Sequence, residues 1–368
     1  MELKPARKKV DSPLVGYAKF PDDPPPYVTG YMEIAGRFVP LVSTRLSIRD
    51  KIGDWGVRWD LGRGAYRVVP GLYALGHPGP ASPILVTANY KLTFDELRKQ
   101  LASLDAFLVV LDTKGVNVWC AAGKGSFGTT ELLDKIARLR LGDLVSHKVL
   151  VLPQLGASGV SAPEIARVSR FRVVWGPVRA SDLPAFLAAG MVKTEAMRSV
   201  EFGLADRMAV APVEFVHSWP FLLGALLLSL AGALPLDMLF RTRFWWLFAA
   251  TAGSVVMGTF AFPALLPLLP SRAFSIKGAF LGALWGALCA ALAVSGGAFG
   301  PGARFGLGAA LVLVSAAVTS FTGLNFTGSS TFTSQRGATF EVEKSLIPTI
   351  AALAFGICLG GASLIFGL

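Results

Sequence analysis

The chain has 368 residues, of which 53% are hydrophobic and 16% are charged, and its mean hydropathy is +0.55. The chain is too apolar for an ordinary soluble protein and too charged for a pure membrane bundle, so neither class describes the whole of it. The net charge of +11 suits nucleic acid, an anionic lipid surface or an acidic partner. No Lys/Arg block or nucleic-acid motif stands out, so we expect a membrane surface and an acidic partner and no nucleic acid.

The charged residues are concentrated in residues 1–215, whereas residues 219–368 are long apolar runs. We predict an N-terminal arm with early strands over 1–60, an α/β domain over 61–215 and a membrane domain over 216–368. The start "MELKPARKKVDSPLVG" lacks the apolar core of a signal peptide. The three cysteines do not have the spacing of a disulfide framework. Both observations predict that the N-terminal domain faces the cytoplasm.

Strands and helices alternate after the proline-rich arm. Early strands are predicted at "YVTGYMEIAG" and "FVPLVSTRLS", and later strands at "YRVVPGLYALG", "SPILVTANY", 106–112, 147–154 and 171–176. Helices are predicted over 93–104, 129–139, 161–169 and 180–190, the first of them starting with a capping box of Thr93 and Glu96. This alternation predicts an α/β fold, Rossmann-like, with a mainly parallel sheet covered on both faces.

The second half of the chain contains five apolar stretches, each near the roughly 20 residues that cross a bilayer. We predict transmembrane helices over about 219–238, 244–268, 274–298, 305–323 and 346–367, with one long loop over 324–344. The run "GAFLGALWGALCAALAVSGG" is rich in small residues, which permits close packing of helices. Thr251, Ser254 and Thr259 are interpreted as contacts between helices.

Three polar, glycine-bearing loops follow predicted strands: "TANYK" (87–91), "NVWCAAGK" (117–124) and "PQLGASG" (153–159). In a parallel sheet, ligands bind beyond the carboxyl ends of the strands. The loops should therefore meet at one edge of the sheet and bind one large ligand.

Cys120 lies in the second of these loops. A free cysteine is most often a small packing residue. Asn117, however, can cap a helix that starts at Val118, which puts Cys120 in the first turn, where helix N–H groups favour a thiolate, and Lys124 lies one turn further on the same face. The glycines of "GKGSFG" lack the spacing of a Walker A loop and fit a helix C-cap. The three histidines are scattered and have no metal-binding spacing.

The motif "NVWCAAGKGSFGT" resembles the signature of the corrinoid proteins of microbial mercury methylation, the HgcA family. "PGLYALGHPGPASPILVTANYKLTFDELR" and "LVLPQLGASGVSAPEI" resemble the corrinoid-binding domain in the large subunit of the corrinoid iron–sulfur protein. That relative lacks the cysteine in this loop, so Cys120 points to the mercury branch. It also carries an iron–sulfur segment, whereas three cysteines cannot hold a four-cysteine cluster.

The resemblance implies a membrane-anchored, cobamide-dependent methyltransferase in the cytoplasmic membrane that passes methyl from methyl-Co(III) to inorganic Hg(II) and forms methylmercury. Cys120 would be the catalytic residue and the lower axial ligand of cobalt. The motif residues expected at the cofactor are Asn117, Val118, Trp119, Cys120, Ala121, Ala122, Gly123 and Lys124. The loop residues expected there are Thr87, Asn89, Gln154, Gly156 and Gly159.

The resemblance also implies two partners: a ferredoxin-like protein with two [4Fe–4S] clusters and a methyl donor linked to methyltetrahydrofolate. Two other functions stay open at this point. One is a corrinoid methyl carrier for a different acceptor in one-carbon metabolism. The other is a membrane protein that senses the cofactor without catalysis.

Overall fold

The computed structural model describes residues 24–234, 239–329, 332–333 and 335–366, which form two units. Of these residues, those up to Val57 and Leu61–Val200 form the first, which we call the α/β unit. Arg58–Asp60 and the residues from Glu201 onward form the second, which we call the helical unit. The predicted boundary after residue 215 therefore lies inside a helix of the helical unit, Leu204–His217.

A seven-stranded sheet is the centre of the α/β unit. Its strands are β1 (Val28–Ile34), β2 (Arg37–Val42), β3 (Gly71–Leu75), β4 (Ile84–Ala88), β5 (Ala106–Leu111), β6 (Val149–Leu152) and β7 (Arg172–Trp175). Their order across the sheet is β1-β2-β3-β5-β4-β6-β7. Strands β4 to β7 are parallel, as are β2 and β3, whereas β1 pairs antiparallel with β2 and β3 with β5. The sheet is therefore mixed and mostly parallel, as predicted.

The direction of β3 follows from the short connection after it. A return to a parallel strand requires a crossover of about a dozen or more residues, commonly a helix. Residues 76–83, which join β3 to β4, contain no helix. The chain therefore turns back at once, and β3 runs opposite to β4 and β5, with β5 between them.

Helices lie between the strands. They are α1 (Ile48–Gly56), α2 (Lys91–Gln100), α3 (Val118–Gly123), α4 (Thr129–Arg138), α5 (Ala162–Ser169) and α6 (Leu183–Ala188). Side chains of β5 alternate between two apolar clusters, with Phe107 and Val109 in one and Leu108 and Val110 in the other. Both faces of the sheet are thus covered.

The capping box of Thr93 and Glu96, predicted for the helix over 93–104, is wrong. Helix α2 begins at Lys91, and its N-cap is Tyr90, which makes no side-chain cap bond. Tertiary bonds set this start, because the N–H of Lys91 donates to the carbonyl of Tyr66 at 3.0 Å. A capping box occurs instead at α1, where the hydroxyl of Ser47 and the carboxylate of Asp50 bond each other's backbone N–H.

The helical unit contains α7 (Leu204–His217), α8 (Trp219–Gly232), α9 (Phe240–Val256), α10 (Phe262–Leu265), α11 (Phe274–Ser295), α12 (Arg304–Asn325) and α13 (Gln335–Phe366). A π-helical turn, Met257–Ala261, joins α9 to α10.

Among the described residues, four stretches of this unit are long and apolar enough to cross a membrane: Phe240–Leu265, Phe274–Ser295, Arg304–Gly328 and Arg336–Phe366. A fifth exists only if α7 and α8, which are bent by 55°, count as one span. By itself α8 has 14 residues, about 21 Å of helix against the roughly 30 Å of a bilayer core. The first predicted span also includes residues 235–238, which lie outside the described residues.

The long loop predicted over 324–344 is largely helical. Helix α12 continues to Asn325, a 3-10 turn follows at Phe326–Ser329, and α13 already begins at Gln335. The charged residues before the apolar part of α13 were interpreted as loop residues, but they form the polar first turns of a helix that has 32 residues.

Glycines bring α11 and α12 close together, which confirms the predicted role of the small residues. Gly278, Gly282 and Gly286 are four residues apart and therefore share one face of α11. A Cβ at Gly278 or Gly286 would lie 2.6 or 2.7 Å from a carbonyl oxygen of α12, and one at Gly282 would lie closer still.

We expect Gly282→Leu to destabilise the helical unit by at least about 1–3 kcal/mol, the usual effect of overpacking. The thermal unfolding midpoint of the full chain in detergent measures this. Gly224→Leu in α8 is the matched control, since a Cβ there meets no atom within 4 Å. An equal midpoint for the two variants would contradict the close packing of α11 on α12.

The hydroxyls predicted to join helices mostly bond within their own helix. Thr251, Ser254 and Thr259 each donate to the carbonyl four residues earlier. Other residues supply bonds between helices: Thr319 of α12 donates to the carbonyl of Ser254 at 3.0 Å, and Trp285 of α11 donates to the carbonyl of Ala250 at 3.1 Å. A hydroxyl that bonds to a carbonyl of its own helix is paired, so it needs no partner on a second helix.

A buried charge network joins α1 to α2. The ammonium of Lys91 lies 2.6 Å from Asp50 and also pairs with Asp95, and Arg98 lies 2.9 Å from Asp50 and 2.7 Å from Asp95. Burial alone would raise the pKa of Asp50, but hydrogen bonds from Lys91 and Ser47 outweigh burial and hold this pKa below its usual range. Beside the network, burial and then the charge of Asp95 raise the pKa of Asp54 to about 6.

The raised pKa of Asp54 predicts a pH dependence of stability. The folded protein keeps the Asp54 proton up to about pH 6, whereas the unfolded chain releases it near its ordinary pKa of 3.8. The folded state therefore binds more protons between these values, and this contribution to stability is lost as the pH rises through about 6. Asp54→Asn, which keeps an acceptor for Tyr66, should unfold at a higher temperature than the wild type at pH 8 and at the same temperature at pH 4. A wild-type advantage at pH 8 would contradict the assignment.

Candidate functional site

The three predicted loops lie at one edge of the sheet. Strands β4, β5 and β6 are parallel, so the loops after Ala88, Leu111 and Leu152 leave from their carboxyl ends. Helix α3 follows β5 and contacts the loop after β6, since a Cβ at Gly159 would lie 2.9 Å from the Cα of Ala122. The prediction that the three loops share one edge of the sheet is confirmed.

Helix α3 begins and ends as its sequence predicts. The Asn117 side chain accepts a hydrogen bond of 2.9 Å from the N–H of Cys120, which fixes the first turn. At the other end Gly125 has a φ of +78°, and the N–H of Ser126 donates to the carbonyl of Ala121 at 2.9 Å. This is a Schellman C-cap, so Gly125 of "GKGSFG" terminates α3, whereas Gly128 is the N-cap of α4.

The two faces of α3 differ in exposure. Val118, Ala121 and Ala122 are buried in the core of the α/β unit. Cys120 is exposed, and its neighbour Trp119 is 45% exposed. The short helix thus rests on the domain by its small and aliphatic side chains and presents a thiol at the carboxyl edge of the sheet.

Two glycines leave the surface beside Cys120 with little side-chain bulk. Gly123, three residues after Cys120, is exposed, and a Cβ there or at Gly125 would meet no atom within 4 Å. Lys124 is also exposed at the end of α3. A flat ligand can therefore approach the thiol closely on this side, with a cation beside it.

Asn89 and Thr87 are buried and lie behind this surface. The Asn89 side-chain oxygen accepts from the N–H of Thr113 at 3.1 Å and of Gly115 at 2.9 Å, so it shapes the loop that leads to α3. Thr87 lies inside β4 rather than on a loop and is 3% exposed. Contact between these two side chains and a ligand stays a prediction, whereas the support that Asn89 gives the loop is visible in its bonds.

The loop after β6 is packed on Phe127, which follows α3. A Cβ at Gly156 would lie 2.5 Å from the ring of Phe127, and one at Gly159 would clash with the Phe127 carbonyl oxygen. Phe127 itself is completely buried. Both glycines were expected at the cofactor, and that contact stays a prediction; in the structure the space that a Cβ would take at each is occupied by the chain itself.

Gly156→Leu should therefore disturb the edge through Phe127 rather than by filling a ligand's place. We expect a lower unfolding temperature even without any ligand, because the side chain would displace a buried ring. Gly64→Leu is a control outside this contact, since a Cβ there meets no atom within 4 Å. If Gly156→Leu unfolded like the wild type and lost only ligand binding, the glycine would serve the ligand directly.

Two groups at this edge were missed by the sequence analysis. Lys193 donates a hydrogen bond to the side chain of Gln154. Burial, and then the charge of Arg198, lowers the pKa of Lys193. Arg67 lies near the loop before α3, since its side chain would be 3.6 Å from a Cβ at Gly115. No local motif marks either residue, because both reach the edge through distant parts of the chain.

Part of the chain is related to known proteins. Residues 62–187 match the family model described as CdhD, CO dehydrogenase/acetyl-CoA synthase delta subunit. The acetyl-CoA decarbonylase/synthase complex subunit gamma of Methanopyrus kandleri is 34% identical over 131 residues, 35% of this chain and 28% of that protein. The corrinoid/iron-sulfur protein large subunit of Moorella thermoacetica is 27% identical over 127 residues, 34% of this chain and 28% of that protein.

The chain thus spans little more than a quarter of the length of these relatives. The family match begins before β3 and ends within α6, and it includes α3 and the three loops at the carboxyl edge. The segment that presents Cys120 therefore lies inside the match to the family described as CO dehydrogenase/acetyl-CoA synthase delta subunit.

Proposed function

We propose that this chain is a membrane-anchored, corrinoid-dependent methyltransferase whose acceptor is inorganic Hg(II) and whose product is methylmercury. One observation carries the proposal: the exposed Cys120 thiol lies on the first turn of α3, inside the segment that matches the CdhD family model, in a chain that is also similar to a corrinoid/iron-sulfur protein large subunit. The motif "NVWCAAGKGSFGT", which resembles that of the mercury-methylation family, supports this choice of acceptor.

The residues around Cys120 fit a corrinoid better than a bare metal ion. Among the described residues, no group of three or more His, Cys, Asp or Glu side chains could hold a metal. A corrin ring brings four nitrogen donors of its own, so one protein ligand is enough. The absence of side chains at Gly123 and Gly125 leaves room for such a ring. Lys124 supplies a cation for the phosphate of a nucleotide tail.

When bound, a corrinoid supplies a cobalt-bound methyl group, and a thiolate ligand favours its release with the bonding electrons to a soft electrophile such as Hg(II). Cys120 would hold the cobalt of the corrinoid through its thiolate. Asn117 holds the backbone N–H of Cys120 and so fixes the position of its sulfur. Asn89 orders the loop that precedes Asn117, which makes it a positioning residue.

A second acceptor is favoured by the relatives themselves. They are named as a subunit of an acetyl-CoA decarbonylase/synthase complex and as the large subunit of a corrinoid/iron-sulfur protein. A corrinoid methyl carrier for a carbon-pathway acceptor therefore is the alternative. Such a carrier would hand methyl to a thiol or an enzyme of one-carbon metabolism and leave Hg(II) unchanged.

We also propose that Hg(II) and electrons come from a partner protein. Hg(II) is soft and prefers two thiolates. Cys120 is assigned to cobalt, and Cys289 and Cys358 lie in the apolar helices α11 and α13. A ferredoxin-like partner with two [4Fe–4S] clusters would supply both thiols and low-potential electrons, and a methyltetrahydrofolate-linked donor would restore the methyl group. The α/β unit would face the cytoplasm.

The test uses the purified full chain in lipid nanodiscs, loaded with methylcobalamin, the reduced partner and either Hg(II) or a small thiol. Cofactor loading is followed by the visible spectrum and methylmercury by mass spectrometry. Methyl transfer to Hg(II) with little transfer to the thiol supports the proposal, and the reverse supports the carrier. A chain that binds no corrinoid would contradict both.

A further inference from the structure

Helix α1 of the α/β unit exposes its apolar side chains. Ile48, Ile52 and Trp55 are 76%, 65% and 61% exposed. They are spaced by four and three residues, so they form one stripe along the helix. A helix on the surface of a soluble domain ordinarily turns such a stripe toward the core.

The polar side of α1 faces inward instead. Asp50 is buried and pairs with Lys91 and Arg98 of α2. Asp54 accepts a hydrogen bond of 3.0 Å from Tyr66, and a Cβ at Gly53 would lie 2.5 Å from the same hydroxyl. These contacts fix the rotation of α1, and the apolar stripe cannot turn inward without breaking a buried ion network.

Two cations flank the stripe. Arg49 and Lys51 are both exposed. At about 100° per residue, Arg49 lies to one side of the stripe and Lys51 to the other. The two carboxylates of α1 are used inside the unit, so the outward surface is apolar in the middle and basic at its margins. Long basic side chains at the margins of an apolar face are typical of helices that lie in a membrane interface.

The chain leaving α1 is attached to the apolar helices. Gly56 ends α1, and Arg58–Asp60 belongs to the helical unit. Within that unit the Trp59 ring lies 6.4 Å from the ring of Phe260, which belongs to the stretch Phe240–Leu265 that is long enough to cross a membrane. Covalent continuity therefore keeps the end of α1 within two residues of a segment held by these helices.

We propose that α1 is an interfacial anchor: its stripe of Ile48, Ile52 and Trp55 lies in the headgroup region of the bilayer that the helical unit crosses, with Arg49 and Lys51 against anionic lipid. The occupant of the stripe is lipid rather than protein, because basic margins, a tryptophan and attachment to apolar helices all favour a membrane interface. The proposal rests on the membrane anchoring in the proposed function and is independent of its chemistry.

The test is spin-label accessibility in the full chain, reconstituted in vesicles of phosphatidylcholine and phosphatidylglycerol. Cysteine is introduced one site at a time in a background with Cys120→Ala, Cys289→Ala and Cys358→Ala. Ile52→Cys reports the stripe, Arg167→Cys an exposed site of α5, and Phe355→Cys an exposed apolar site of α13. Oxygen relaxes labels in lipid, and a water-soluble nickel chelate relaxes labels in water.

The label at Ile52 should be relaxed by oxygen and protected from nickel, between the values at Arg167 and Phe355. Adding Arg49→Gln and Lys51→Gln should shift the equilibrium between lipid-bound and water-exposed α1 toward water by about tenfold or more, since each cation contributes attraction to anionic lipid. Full nickel access at Ile52 would overturn the proposal. Poor access of both reagents would also overturn it, because a protein partner or a second copy would then cover the stripe. Nickel access at Phe355 would instead contradict the membrane span itself.

Discussion

Replacing Cys120 by alanine should reduce methylmercury formation by at least about a hundredfold, since even groups that only support a metal ligand contribute about 10- to 100-fold. The side chain is exposed, and alanine is a good helix former. The variant should therefore fold with the wild-type unfolding temperature. Methylmercury is measured by mass spectrometry in nanodiscs with the reduced partner present, and the cobalt spectrum of the loaded protein should change with it.

The other two cysteines provide the matched control. Cys289→Ala with Cys358→Ala makes the same change in α11 and α13, and we expect nearly wild-type activity. Cys120→His should keep corrinoid binding but transfer methyl more slowly, because imidazole donates less electron density than thiolate. Wild-type activity and spectrum in Cys120→Ala would remove the ligand assignment. Loss of activity in the double variant, with cofactor loading intact, would instead indicate a mercury route through the helical unit.

Asp95→Ala is expected to destabilise the α/β unit by about 3–5 kcal/mol, the cost of leaving a buried charge without its partner. Asp95 and Arg98 are both completely buried, and they are joined at 2.7 Å. Alanine would leave the buried guanidinium with fewer counter-charges. The measurement is the unfolding midpoint of the full chain, followed by circular dichroism at a wavelength where strands contribute.

A second substitution separates charge from packing. Asp95→Leu combined with Arg98→Met removes both charges and keeps apolar volume, so it should recover much of the lost stability. On the same helix, Glu96→Ala breaks the half-exposed pair with Lys99 and should cost at most about 1 kcal/mol. If Asp95→Ala behaved like Glu96→Ala, the network would not hold α1 in its observed rotation, and the exposed stripe of α1 would need another explanation.

Local signals in the sequence were sufficient for most elements of the α/β unit and for α3. Asn117, the apolar face of Val118 and Ala121, and the glycine after Lys124 all act within one or two turns, so α3 could be predicted residue by residue. The strands were predicted because buried β-branched and aromatic runs are bounded by turn residues. Composition alone predicted the apolar helices, and the abundance of small residues in them predicted their close packing.

Contacts between distant residues decided the rest. The antiparallel direction of β3, the start of α2 at Lys91 and the support that Asn89 gives the loop before α3 depend on partners that no local pattern identifies. Helix α1 is the clearest case, because its apolar side would be assigned to the core from periodicity. Lys91 and Arg98 pair with Asp50 and hold the acidic side of that helix inward, because turning the apolar side inward would leave these buried charges without partners.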